Sequence, residues 1–350
     1  MLGVTVAVLG GLMSAGCTIG GSGATASPPA PTPTGSSATR NVVIDTDMAA
    51  DDWLAILFLL GRPEVTVKAI TVTGTGEAHC EPGVRNARAL AALSGNPGIP
   101  VACGRETPLA GTHAFPDEWR DRVDVLLGID LPDGPDQADP GSAVELLTTT
   151  LSTSSDDTTL LTLGPLTNIA ELLEESPVLA DKIDALYIMG GAVEVEGSVG
   201  NSGVDIDNPY AEWNIYVDPK AAKVVLDSGA PVTLVPLDAT NDAPLTLDFV
   251  ERLAADSDTP QAKFAAQVMD NLRGLIGFGY YFWDPFAAAV LVDESLTSFE
   301  SADLTVVIDE GPESGRIVPA SDGVLARYAT SADLARLEEL LIDALNGRAD

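Results

Sequence analysis

Positive charge is scarce in this sequence. Lys and Arg number 18 against 52 Asp and Glu, a formal net charge of −34 over 350 residues. Without a basic stripe nothing displaces counterions from a polyanion, which excludes a nucleic-acid or anionic-membrane surface. A neutral or cationic small ligand remains compatible with that balance. Aromatic residues are also few, 5% of a chain that is 45% hydrophobic, which suits an Ala/Leu/Val-rich α/β protein. The apolar run at residues 2–13 is too short for the ~20 residues of a membrane-spanning helix. No internal repeat is visible, and the length accommodates one large or two modest domains.

That opening run has the length of a signal-peptide core. It leads into Ala15-Gly16-Cys17, which resembles the end of a bacterial lipobox, where the Cys is lipidated. Ordinary signal cleavage or a buried apolar strand are the alternatives. Residues 18–39 are dominated by Gly, Ser, Thr and Pro, a disordered tether in composition. The expected organisation is a leader ending at Cys17, a tether, and a folded domain over 40–350. The expected location is extracytoplasmic, either secreted or held to the membrane only through a lipid anchor.

The most informative stretch is 41–60, NVVIDTDMAADDWLAILFLL. Val42, Val43 and Ile44 form a short apolar run typical of a buried strand; residues 54–60 read as a helix. Between them lie Asp45, Asp47, Asp51 and Asp52. Asp51 is placed to cap the helix, but first-turn acids gain only ~0.3–1 kcal/mol each from the helix dipole. Two carboxylates ~4 Å apart repel by roughly 1–4 kcal/mol. Such a cluster must be partly protonated, splayed into solvent or neutralised by a cation. All its ligands are hard oxygens, with no His or Cys among them, which points to Ca²⁺ or Mg²⁺ rather than Zn²⁺.

Strand-like runs at 65–73, 99–102, 158–163, 183–189, 232–236, 304–308 and 323–328 alternate with helical patterns at 82–93, 142–151, 247–255, 261–275 and 332–345. Further helices start at Pro219 and after Tyr280-Tyr281-Phe282-Trp283. This alternation predicts an α/β fold: a single open, mostly parallel twisted sheet flanked by helices, with ligands outside the carboxyl ends of strands. Residues 104–140 carry no clear pattern.

Several pieces of the chain together resemble the inosine–uridine-preferring nucleoside hydrolase family. Residues 45–52 (DTDMAADD) resemble its DTDPGxDD loop with Met48-Ala49 in place of Pro-Gly, and 163–168 (LGPLTN) its LGPLTN turn. Met189-Gly190-Gly191, Gly200-Asn201, Glu212-Trp213-Asn214 and Trp283-Asp284-Pro285 stand where the family has MGG, GN, EFN and a late DP element. The resemblance implies Ca²⁺-dependent hydrolysis of the N-glycosidic bond of ribonucleosides, on a protein that is a dimer or tetramer in relatives. By position it implies Asp47, Asp52 and Asp284 as metal ligands, with the carbonyl of Leu163. It assigns Asp51, Met189, Asn201, Glu212 and Asn214 to the ribose, and Asp45 to support of the loop. Cleavage at C1′ develops oxocarbenium-like charge that carboxylates and amide oxygens stabilise, and Asp47 would take the proton of a water activated by the metal.

Trp283 stands where many pyrimidine-cleaving members have a His. It resembles the purine-preferring branch, in which an indole stacked on the base favours its protonated form by ~0.5–2 kcal/mol; a satisfied core aromatic is the structural alternative. His79, at the mouth of the second strand, is a second candidate for the base. The HG segment of many relatives is not recognisable near 125–132. Cys80 and Cys103 form either a disulfide or two unpaired buried thiols. Two other functions remain open: a non-catalytic nucleoside- or ribose-binding lipoprotein, and a phosphatase of the haloacid-dehalogenase type, which the late WDP and EWN elements suit poorly.

Overall fold

Residues 42–46 and 158–162 are buried without interruption, the signature of parallel strands covered on both faces. In the computed structural model, which describes residues 39–349 apart from 139, 155 and 156, these two runs lie side by side at the centre of the sheet. The leader with Cys17 lies outside the described residues, as does all of the tether but Thr39. The described residues belong to one compact unit, and none of their helices is long and apolar enough to cross a membrane.

The chain runs β1 (Arg40–Thr46), α1 (Ala50–Leu60), β2 (Val65–Val72), α2 (Cys80–Leu93) and β3 (Val101–Cys103). There follow α3 (Asp117–Asp124), α4 (Ala143–Thr153), β4 (Thr158–Thr162), α5 (Thr167–Glu175), β5 (Ile183–Met189), α6 (Trp213–Val217), α7 (Pro219–Asp227) and β6 (Val232–Val235). Four helices, α8 (Leu237–Thr240), α9 (Leu247–Ala255), α10 (Pro260–Leu272) and α11 (Trp283–Val292), precede β7 (Phe299–Val306), β8 (Ile317–Pro319), β9 (Val324–Ala329) and α12 (Leu334–Leu345). The nine strands form one sheet in the order β3-β2-β1-β4-β5-β6-β9-β7-β8. All neighbours are parallel up to β9, and only β7 runs antiparallel to its partners. The expected open, mostly parallel sheet is what forms.

Strand order decides where a ligand can sit. From β1 the chain winds outward through β2 and β3, then returns to lay β4 on the other side of β1. The crevice at this reversal, outside the carboxyl ends of β1 and β4, is the topological switch point of the sheet. The acidic loop leaves β1 there, and Leu163-Gly164 leave β4 there.

Helices α1 and α11 are apolar almost all round and pack against each other, as expected of helices buried on every face. Their contact brings the first turn of α11, with Asp284, beside the first turn of α1, with Asp51 and Asp52. Two readings of the sequence need correction. The N-cap of α1 is Ala49, with no side-chain cap, so Asp51 lies inside the helix rather than capping it. The featureless 104–140 stretch contains α3, whose hydrophobic positions are too few to register as a periodic pattern.

Cys80, the first residue of α2, and Cys103, the last of β3, form a disulfide with a Cα–Cα distance of 5.5 Å. The bridge closes a loop of sequence separation 23, for which chain-entropy estimates give about 3 kcal/mol. Replacing both cysteines by Ala is expected to lower Tm by on the order of 5–10 °C in calorimetry. An unchanged Tm would mean that the bridge adds nothing to stability.

Candidate active site

The carboxyl end of β1 presents its acids in two directions. Asp45 points into the sheet, where its Oδ1 accepts from the Thr71 hydroxyl at 2.5 Å and the Asn168 amide at 2.7 Å. Asp47 lies one turn onward in a close cradle. The backbone N–H of Ala49 donates to its Oδ1 and that of Glu77 to its Oδ2, both at 3.2 Å. Gly76 and Gly164 press against it so closely that a Cβ on either would fall 2.0 and 2.6 Å from the Asp47 Cβ. Only glycine fits these two positions, because the loops after β2 and β4 both have to reach Asp47.

Met48 then turns with φ 62°, a left-handed conformation that costs a non-glycine residue ~1–2 kcal/mol. Its N–H faces the Thr46 hydroxyl at 3.0 Å and Asp52 Oδ1 at 3.3 Å. The Thr46 hydroxyl donates to the same Asp52 oxygen.

Asp51, Asp52 and Asp284 each offer a carboxylate oxygen within 4.8 Å of the other two. Asp47 lies close enough to Asp52 and Asp51 for its carboxyl group to feel both. All four are buried. Burial, the largest cause, pushes Asp47 up to about 7 and Asp51 to about 6, and raises Asp52 and Asp284 well above the carboxylate range. Asp45 is likewise pushed up to about 7 by burial, against the lowering effect of Thr71 and Asn168. Asp52 Oδ2 and Asp284 Oδ1 are buried without a hydrogen-bond partner. Orphaned carboxylate oxygens converging from two helices, with no nitrogen or sulfur donor among them, fit a hard divalent cation.

The remaining residues singled out in the sequence are placed as follows: some share one crevice and two do not join it. Leu163, Met189 and Asn214 are brought together: the Asn214 amide donates to the Leu163 carbonyl at 3.2 Å and the Met189 carbonyl at 3.3 Å. The Leu163 carbonyl, expected on the metal, is therefore next to the cradle of Asp47 through Gly164 and already accepts one hydrogen bond. Glu212 caps α6, its two oxygens accepting from the N–H groups of Gly191, Asn214 and Ile215; it holds Asn214 in place. Trp283 is half-buried, edge-on to Tyr280 at 4.9 Å, and the Tyr280 hydroxyl donates to Asp51 Oδ1 at 3.3 Å.

His79 and Asn201 are not drawn into the carboxylate nest by any hydrogen bond. His79 pairs through Nδ1 with Asp124 of α3 at 2.7 Å. Asn201 is exposed and donates to Gly197 within its own loop at 3.4 Å.

Sequence reasoning missed three contributors. Glu77 sends its charge toward Asp47 and Asp51, is raised well above its ordinary value by burial, and makes no side-chain hydrogen bond among the described residues. The Gly-Thr-Gly before it was the available signal. Tyr280 was legible only as part of an aromatic run. Arg120, from the unpatterned stretch, is buried and donates to the carbonyls of Gly74 at 2.9 Å and Ala78 at 3.3 Å, stapling the loop that cradles Asp47.

Fold and site together define an α/β protein with a buried carboxylate cluster at its switch point. A sequence model described as inosine-uridine preferring nucleoside hydrolase matches residues 42–339, and the chain belongs to this family of metal-dependent ribonucleoside hydrolases. Over 232 residues it is 37% identical to the pyrimidine-specific ribonucleoside hydrolase RihA of Salmonella paratyphi B, covering 65% of this chain and 70% of that protein. The inosine-uridine preferring nucleoside hydrolase of Bacillus anthracis superposes with a TM-score of 0.77 at 26% identity, covering 88% of this chain and 99% of that one. A purine-preferring ribonucleoside hydrolase from Gardnerella vaginalis gives the same TM-score and coverage at 30% identity.

The raised carboxyl groups carry a definite sign in stability. The metal-free folded chain retains protons on Asp45, Asp47 and Asp51 that the unfolded chain, with carboxyls near 3.8, has released. Their contribution is fully present below about pH 4 and is lost as pH rises through 6–7. Tm after chelation is therefore expected to fall between pH 4 and 7.5. A millimolar divalent cation should raise Tm more at pH 7.5 than at pH 5, where protons compete for the same oxygens. A cation effect of equal size at both pH values would contradict the site.

Proposed function

We propose that the chain is an exported, Ca²⁺-dependent N-ribosylhydrolase that splits ribonucleosides, purine ribosides preferred, into ribose and free base. The observation that carries this reading is the meeting of Asp47, Asp51, Asp52 and Asp284 with the Leu163–Met189–Asn214 group at one switch-point crevice. Ca²⁺ suits the all-oxygen donors, with Asp47, Asp52, Asp284 and the Leu163 carbonyl as ligands and Asp51 close at hand. Its chemical contribution is Lewis acidity toward an oxygen nucleophile, besides neutralising the nest.

The protein's own groups do the rest. Asp47, locked by two backbone N–H groups and two glycines, accepts the proton of the attacking water. Asp51, with one oxygen accepting from Tyr280, turns the other to the ribose diol. Asn214, whose amide N–H groups are committed to two carbonyls, offers its oxygen to the sugar. Oxocarbenium-like charge at C1′ is then surrounded by negative and partly negative oxygens.

At the base end, the half-buried Trp283 supplies a π-face. An electron-rich face attracts a protonated purine, and stacking rewards the larger ring. The Glu77 carboxyl, which makes no side-chain hydrogen bond among the described residues, is a partner for ring nitrogens in the same region. The disulfide and the leader-like residues 2–17 support an oxidising, extracytoplasmic location, with Cys17 as the lipid anchor.

Assaying inosine, adenosine, guanosine, cytidine and uridine with and without chelator tests the reading. Purine ribosides are expected to be cleaved fastest, chelation to stop turnover, and 2′-deoxy analogues to react roughly 10²-fold more slowly or worse. Asp47→Ala should lower kcat by roughly 10³-fold or more while far-UV circular dichroism is retained. Binding of nucleosides without release of base would make the chain a capture protein instead.

Trp283→Leu should lower the purine-to-pyrimidine ratio of kcat/KM by roughly tenfold, the worth of one stacking and cation–π contact. An unchanged ratio would remove Trp283 from base recognition.

A further inference from the structure

The acidic loop reaches its geometry by a route that the family's Pro-Gly could not follow. Proline fixes φ near about −65° and has no N–H, whereas Met48 stands at φ 62° and its N–H is turned onto Asp52 Oδ1. A left-handed residue with a side chain, fully buried, reverts to an ordinary conformation unless its surroundings hold it there. Besides the Thr46 hydroxyl, which accepts from the Met48 N–H at 3.0 Å, one group is placed to do this. The indole Nε1 of Trp53 donates to the Met48 carbonyl at 2.8 Å.

Trp53 lies one turn into α1, fully buried, and packs against Phe264 of α10 at a centroid distance of 6.2 Å. Its ring is thus anchored in the core while its single donor reaches back over the helix start. The Met48 carbonyl precedes the N-cap and has no role in the helix ladder. The bond therefore spans the loop and the helix rather than belonging to either.

We propose that Trp53 is a positioning residue: its indole N–H latches the Met48 carbonyl and holds the left-handed turn that this chain uses where the family's loop has Pro-Gly. The latch keeps the Met48 N–H on Asp52 Oδ1, which leaves the other oxygen, Oδ2, buried and without a partner, in a residue that shares its nest with Asp51 and Asp284. It rests on the cation reading of that nest given above. Trp53 touches neither substrate nor the reacting atoms; it acts through Met48 on Asp52.

Trp53→Phe keeps an aromatic ring in the core and removes the donor. Phe264→Leu is the control, since it loosens the same packing and leaves the donor intact. Calcium binding to the chelator-stripped proteins is followed by calorimetry, and amide exchange of Met48 by NMR without metal. In Trp53→Phe the Kd for Ca²⁺ should rise tenfold or more and the Met48 amide should exchange at least tenfold faster, whereas Phe264→Leu, with a comparable loss of Tm, should change neither by more than twofold.

Equal weakening of Ca²⁺ binding by both variants would overturn the latch, as would a Met48 amide in Trp53→Phe that exchanges at the unsubstituted rate. Should Trp53→Phe fold poorly, the unsubstituted chain decides: a latched Met48 amide is as protected as the second-turn amides of α1, whose N–H groups are in the helix ladder, and one exchanging at loop rates overturns the proposal. If the unsubstituted protein takes up no Ca²⁺, the cation reading fails on its own, and the exchange data still decide the latch.

Discussion

Carboxylates from the first turns of two apolar helices are driven together here by forces that have nothing to do with carboxylates. Helices α1 and α11 bury nearly every face against each other and the sheet, and the transfer of that apolar surface from water dominates the energetics of the region. Their N-termini then have to meet, carrying Asp51, Asp52 and Asp284 with them. The positive ends of two helix dipoles soften the encounter by ~0.3–1 kcal/mol per acid. That is small beside the desolvation that lifts every one of these groups. The nest is a place where packing stores electrostatic discomfort, which the cation proposed above would relieve.

The same constraint explains the shape of the surroundings. Glycines at 76 and 164 let the loops after β2 and β4 press on Asp47; backbone N–H groups rather than cations satisfy its oxygens. Arg120 staples the Gly74–Ala78 carbonyls without an ion pair to any carboxylate among the described residues. Positive charge is thus spent sparingly even inside the fold, in keeping with a chain of net charge −34. A basic side chain placed among the acids would have filled the role that the architecture leaves to the cation.

Legibility in the sequence tracked how local each determinant is. The parallel strands were readable because a strand covered on both faces has to be apolar throughout, and the acidic loop because four Asp between a strand and a helix have no cheap structural use. Glu212 and Asn214 were readable as a pair, though not that Glu212 spends both oxygens capping α6. Asn201 shared a motif-like dipeptide but sits exposed on its own loop. The partnership of His79 with Asp124 was invisible because it depends on α3, a short helix with only two buried side chains. The disulfide was undecided because it too depends on tertiary placement: Cys80 opens α2 and Cys103 closes β3, and they are bridgeable only because these two ends meet.

By itself the sequence determined the kind of fold and the chemistry on offer: strand–helix alternation forces a parallel sheet, and an all-oxygen acidic loop admits only hard cations. The tertiary structure alone decided which acids share a site. That depends on β4 returning beside β1 and on α11 packing along α1, contacts between segments far apart in the chain. It also decided how the loop without Pro-Gly keeps its shape, since a left-handed Met48 held by a buried indole is a property of three-dimensional packing and leaves no periodic trace in the residues.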